Sequence, residues 1–118
     1  MPSAKAEPHF SMNELTPPAA VAKAAAHGLE LRERFHRGGT EVGEHRAEGL
    51  RDRTAIAPEE IGSIYSYFQR HDVDHRPGWD DPEKPTPGYV AWLLWGGDEG
   101  RAWITELHDK LQAAREAG

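Results

Sequence analysis

Gly88-Tyr89-Val90-Ala91-Trp92-Leu93-Leu94-Trp95-Gly96-Gly97-Asp98-Glu99-Gly100-Arg101-Ala102-Trp103 decides how the chain folds. It holds three of the four tryptophans and the longest uncharged apolar run. Its first half is apolar on every side, which predicts a short helix over 88–95 buried in the middle of a domain. Thr86-Pro87 supplies the start, a hydroxyl cap followed by a proline where no amide partner is lost. Gly96-Gly97 breaks the chain, and Asp98 is expected to cap a last helix reaching about Ala117. Trp103, Leu107, Leu111 and Ala114 share one face of it.

Working towards the N-terminus, 72–85 mixes Asp72, Asp74, Asp80, Asp81 and Glu83 with Pro77, Gly78, Pro82 and Pro85. It reads as a long irregular loop, of a length that is often functional or mobile. Trp79 in its middle is expected to anchor the loop on the core. Before it, Pro58 with Glu59 and Glu60 opens a helix over 58–71, carboxylates at the positive end of the dipole. Ile56 and Ile61 are spaced as a hydrophobic staple. Ile61, Ile64, Tyr65 and Phe68 form the expected buried face. Gly38-Gly39 divides two further helices, 17–36 and 41–52, with Thr40 capping the second. In the first, Val21, Ala24, Ala25, Gly28, Leu31 and Phe35 make an apolar stripe. Glu30 with Arg34, and Glu33 with Arg37, are spaced for surface ion pairs. Thr16-Pro17-Pro18 resembles the start at Thr86, and 1–16 reads as a flexible arm that Phe10, Met12 and Leu15 could pin. No stretch alternates at period two, so no sheet is expected.

The chain has 118 residues, enough for one domain with a modest core. It lacks cysteine, which excludes disulfides and thiolate metal sites and fits a reducing compartment. No apolar run approaches the ~18 residues that span a bilayer, and the first residues lack the charged-then-apolar order of a secretory signal. The expectation is a soluble protein with no membrane partner. A net charge of −6 disfavours non-specific nucleic-acid binding, which relies on cations displacing counterions.

Three segments look familiar together. They are Arg37-Gly38-Gly39-Thr40-Glu41-Val42-Gly43, then Ser66-Tyr67-Phe68-Gln69-Arg70-His71-Asp72-Val73-Asp74, then the run from Val90 to Trp103. Over about 29–103 the chain resembles a small domain of tailed-phage genomes. That domain occurs as short stand-alone proteins and as segments fused to or near head-morphogenesis proteins such as prohead proteases. The resemblance implies a fold and a phage setting and carries no assigned activity. This chain departs from the pattern at Ala57, where a serine cap is expected, at Glu44-His45, and in the acidity of 80–85.

Among polar clusters, His71-Asp72-Val73-Asp74-His75 is the most suggestive. Two histidines four apart can share a metal on a continuous helix, but these straddle a helix end. Asp72 and Asp74 match two EF-hand positions, while Arg76 and Pro77 fill the next two. The simpler reading has His71 favouring the helix dipole and Asp74 capping turn amides. Arg37-Gly38-Gly39-Thr40 ahead of a helix could hold phosphate, though it is shorter than a Walker loop and lacks its lysine. Six arginines nearby are cancelled by six acids over the same segment. Asp98 beside tryptophans could carry a raised pKa, but a cap is the favoured role. Trp92, Trp95 and Trp103 at helical spacing among leucines read as core before they read as stacking platforms.

These residues predict an all-α, irregular bundle of about five helices over 17–118, with the tryptophan-rich helix central. Phe35, Ile61, Ile64, Phe68, Trp92, Trp95 and Trp103 are the expected core. Arg37, Gly38, Gly39, Thr40, His71, Asp74 and Trp79 are the candidate partner or phosphate contacts; no catalytic set, metal or cofactor is expected. The favoured function is a non-catalytic phage accessory or virion-associated interaction domain, for head decoration or morphogenesis. It would work in the host cytoplasm and in the virion, with phage head proteins or itself as partner. A nucleic-acid-interacting module with nuclease activity is the alternative. A third reading, an inhibitor of a host defence protein, rests on the acidic 72–83 segment.

Overall fold

The computed structural model describes residues 9–117. The fold is all-α: a one-turn helix α1 (Met12–Leu15) and five longer ones, α2 (Ala19–Phe35), α3 (Glu41–Arg51), α4 (Glu60–His71), α5 (Pro87–Leu94) and α6 (Gly97–Ala117). A 3-10 turn, Asp72–Asp74, extends α4, and there is no strand among the described residues.

Helix α5 is the hub. Its side chains divide among three groups of buried residues. Trp92 joins Ile61, Ile64, Phe68 and Ile104; Leu94 joins Val21, Ala25, Ala47 and Leu50; Val90 and Leu93 join Ala24 and Leu31. A helix that feeds a core on every side must be apolar all round, which is why this segment has no polar face. Thr86 Oγ1 accepts from the Tyr89 N–H at 3.1 Å, and Pro87 occupies the first turn.

The approaches to α5 are set by glycine. Helix α2 crosses it at Gly28, where a Cβ would sit 2.8 Å from the Leu94 amide nitrogen and 2.9 Å from the Leu93 Cβ. Gly38 and Gly39 have φ of 91° and 76°, and a Cβ on either would lie 2.5 Å from Val90 Cβ or Leu94 Cδ1. The paired glycines therefore do two jobs: they turn the chain and let its backbone press against α5. Gly96 and Gly97 are also left-handed.

Several local expectations are corrected. Thr16 does not cap α2; its hydroxyl donates to the Met12 carbonyl and it closes α1 instead. Ala57 has no side chain to cap α4, so Glu60 reaches back to accept from the Ala57 N–H at 2.7 Å. That is half of a capping box, and regular helix begins at Glu60. Neither Glu30–Arg34 nor Glu33–Arg37 closes as an ion pair; Arg32 bonds Glu44 across the α2–α3 corner at 2.9 Å instead. Asp98 does not cap α6, which begins one residue earlier at Gly97.

Residues 1–8 of the expected arm lie outside the described residues. The remainder of that arm is docked. A capping box between Ser11 and Glu14 starts α1, Leu15 is buried, and the Leu15 carbonyl accepts from the Ile56 N–H at 3.0 Å. The Trp103 indole donates to the Glu14 carbonyl at 3.1 Å. Lys110 bonds the Glu14 carboxylate at 2.8 Å; with the Ser11 N–H it holds that carboxyl down at about 2.

Of the expected core, Ile61, Ile64, Phe68 and Trp92 are buried, while Phe35, Trp95 and Trp103 are half-buried. Trp95 is covered on its ring by Tyr67, stacked at 4.4 Å with 4° between planes, and Arg46 lies 5.6 Å from its centroid. Trp103 keeps its indole N–H for the docked arm, so neither ring is sealed inside.

Candidate functional site

Two clefts of about 640 Å³ each open on the surface. The first is lined by Arg32, Glu33, Arg37, Gly38, Gly39 and Glu44, among others, and so contains most of the glycine turn expected as a phosphate contact. Its electrostatics do not favour an anion. Arg32 is spent on Glu44 and on the Gly38 carbonyl, at 2.9 and 3.1 Å. Arg51 pairs with Asp52. The Gly43 N–H at the start of α3 is taken by the Thr40 hydroxyl at 3.3 Å. Glu33, Glu44 and Glu48 line the same walls.

The second cleft lies beside α5, bounded by α2, the first turn of α6 and the segment 75–80. That segment is a chain of fixed turns. Trp79 donates its N–H to the Arg76 carbonyl, and its own carbonyl accepts from the Thr86 N–H at 3.0 Å, closing an eight-residue loop. Trp79 and Pro85 are buried, so the loop is held from inside by the anchor the sequence pointed to. Trp79 meets Trp92 edge-on at 5.6 Å and Tyr89 at 5.2 Å. His75 tilts over Trp79 at 4.3 Å.

The rim is acidic. Asp80, Asp98 and Glu99 line it, facing Lys23, His27 and His75. Asp98 Oδ1 accepts from Trp92 Nε1 at 2.9 Å and lies 3.8 Å from His75 Nε2. Burial raises the Tyr89 phenol above its usual range, and the charges of Asp80, Asp98 and Glu99 raise it further. All three carboxylates thus act on one point within the cleft. Trp92 is 1% exposed, yet its polar edge is tied to an aspartate whose side chain is 71% exposed. The ring is both core and cleft wall, a combination the sequence reading treated as exclusive.

His71 and Asp74 are brought together: Nδ1 and Oδ2 are 3.0 Å apart. His71 also stacks on Tyr67 at 4.5 Å. Asp74 therefore binds the histidine in place of turn amides, and its Cβ backs onto Gly88 at the start of α5. Asp72 is bonded to Arg101 at 2.9 Å. No three histidines or acids converge in a way that could hold a metal among the described residues. No described helix is long and apolar enough to cross a membrane.

Sequence reasoning missed Tyr67, Tyr89 and Glu99, and it weighed His75 as a metal ligand with His71 where the structure sets it beside Asp98 and over Trp79. Tyr67 was within reach, since it follows Ile64 by three positions and precedes His71 by four, on the buried side of α4. The Trp92–Asp98 bond spans the glycine break between helices, and no periodicity could reveal it.

Family models, curated protein sequences and solved structures give no match to this chain.

Proposed function

We propose that this chain is a non-catalytic protein–protein interaction domain, an accessory or virion-associated component of a tailed phage. Head decoration or head morphogenesis is the role proposed, in the host cytoplasm during infection and in the particle. The observation that carries the interaction reading is the second cleft, whose walls are anchored in the core and whose rim stays charged. A cleft of that kind recognises a partner without rearranging, because Trp79 and Trp92 are fixed by packing while Asp80 and Glu99 accept no side-chain hydrogen bond among the described residues. The phage setting rests on the sequence resemblance over 29–103. Phage head proteins, or further copies of this chain, are the proposed partners.

Quantitative mass spectrometry of purified particles and of head-assembly intermediates tests this. Copies in fixed ratio to a head protein are expected; absence from both overturns the phage-head assignment. A parallel titration with DNA and RNA separates the alternative class. Binding is expected to be undetectable at about 50 mM salt, whereas an affinity that falls steeply with salt would favour a nucleic-acid module.

A further inference from the structure

We propose that the second cleft receives an arginine side chain from a basic segment of the partner protein. This rests on the interaction reading above and names the chemistry recognised. Guanidinium groups are planar, stack on aromatic faces and donate in a fork that suits carboxylates. The protein already uses that chemistry twice within itself. Arg46 lies 5.6 Å from the Trp95 ring centroid and bonds Glu60. Arg101 lies 5.8 Å from the Trp92 ring centroid and bonds Asp72. The cleft repeats the aromatic and acidic parts, with Trp79 and Tyr89 as walls and Asp80, Asp98 and Glu99 at the rim, but no arginine lines it.

Charge complementarity fixes the sign of the occupant. The charged and titratable groups that face the cleft are Lys23, His27, His75, Asp80, Asp98 and Glu99, with the Tyr89 phenol between them. With neutral histidines, three carboxylates oppose one ammonium. Among the described residues, Asp98 Oδ1 takes the Trp92 N–H while Oδ2 has no partner, and neither Asp80 nor Glu99 is engaged by a side chain. An acidic or phosphorylated segment would meet that field with the wrong sign. An arginine would gain a carboxylate together with the half-buried Tyr89 ring.

The test uses the whole protein labelled with ¹⁵N and the peptide acetyl-Gly-Arg-Gly-amide. The four tryptophan indole signals report position. Saturable shifts of the Trp79 and Trp92 signals are expected, with a dissociation constant on the order of 1 mM and with Trp95 and Trp103 unmoved. The matching peptide acetyl-Gly-Glu-Gly-amide should give no shift. The double variant Asp80→Asn, Glu99→Gln should weaken binding at least fivefold. Its unchanged spectrum elsewhere would show that the fold survives. Equal shifts with the glutamate peptide, or shifts confined to Trp95 and Trp103, would overturn the proposal. So would indole shifts produced by raising protein concentration alone, which would put a second copy of this chain in the cleft. Failure here with the protein present in particles would remove only the arginine assignment. Success here with the protein absent from particles would remove only the phage-head role.

Discussion

Trp92 Nε1 donates to Asp98 Oδ1 at 2.9 Å, joining the most buried tryptophan to an aspartate whose side chain is 71% exposed. The bond spans the Gly96-Gly97 break and ties the first turn of α6 to α5. Asp98→Ala leaves a nearly buried indole N–H without its acceptor and is expected to cost about 1–3 kcal/mol in urea unfolding. Asp98→Asn keeps an acceptor oxygen and should lose less. Equal losses in the two variants would point to the negative charge at the α6 N-terminus as the source of stabilisation.

Gly28, Gly49 and Gly62 all lie within helices, yet they should respond oppositely to alanine. At Gly28 the added methyl meets Leu93 and Leu94 backbone atoms at 3.0 Å or less, and backbone cannot yield as a side-chain tip can. Gly28→Ala is expected to cost about 1–3 kcal/mol by overpacking. At Gly49 and Gly62 nothing lies within 4 Å, so alanine should stabilise by about 0.5–1 kcal/mol through helix propensity. Thermal melts of the three variants read this directly.

The five long helices were legible because their signals are local. Thr40, Thr86, Pro87 and the two glycine pairs each act within one turn of chain. The all-round apolar run of α5 could mean only a central position. What was not legible depended on distance in sequence. Thr16 reads as a cap until Met12 takes its hydroxyl, and Asp98 reads as one until Trp92 does. Phe10 and Leu15 gave no period, and only Ile56, Trp103 and Lys110 show why that segment docks. The site suffered most. Trp79 was identified as an anchor from composition, but its neighbours His75, Tyr89 and Glu99 come from three separate segments. The glycine turn at Arg37 looked like a phosphate cradle because nothing in its spacing tells that Val90 and Leu94 press against it.

The Glu14–Lys110 contact predicts a particular pH dependence. The Glu14 carboxyl is lowered from 4.5 to about 2 on folding, first by its bond to Lys110 and then by the Ser11 N–H. A lowered folded-state value means the contribution is fully present above about pH 5 and fades as pH falls towards 2. The difference in Tm between the wild type and Lys110→Met should therefore be largest near neutral pH and shrink steadily below pH 5. A constant difference across that range would assign the effect to the Lys110 ammonium over the Phe10 ring, 4.9 Å from its centroid.

The Tyr67 hydroxyl is buried and has no hydrogen-bond partner among the described residues. Burial pushes its phenol well above the usual range. Tyr67→Phe removes the unsatisfied oxygen and keeps the ring that covers Trp95, so it should be neutral or stabilising by up to about 1 kcal/mol. Trp95→Ala removes the other half of the stack and should cost about 3 kcal/mol or more. Urea denaturation of the two variants distinguishes the contribution of the rings from that of the hydroxyl.

The central claim is that Trp92 serves as core and cleft wall at once, locked by packing and by Asp98. Solvent exchange of the four indole N–H groups, resolved by NMR, measures this most directly. Trp92 and Trp103, whose indoles are bonded to Asp98 and to the Glu14 carbonyl, should exchange slowly, and Trp79 and Trp95, which have no acceptor among the described residues, should exchange faster. Asp98→Ala should accelerate Trp92 alone. Exchange of the wild-type Trp92 indole as fast as that of Trp79 would contradict the account.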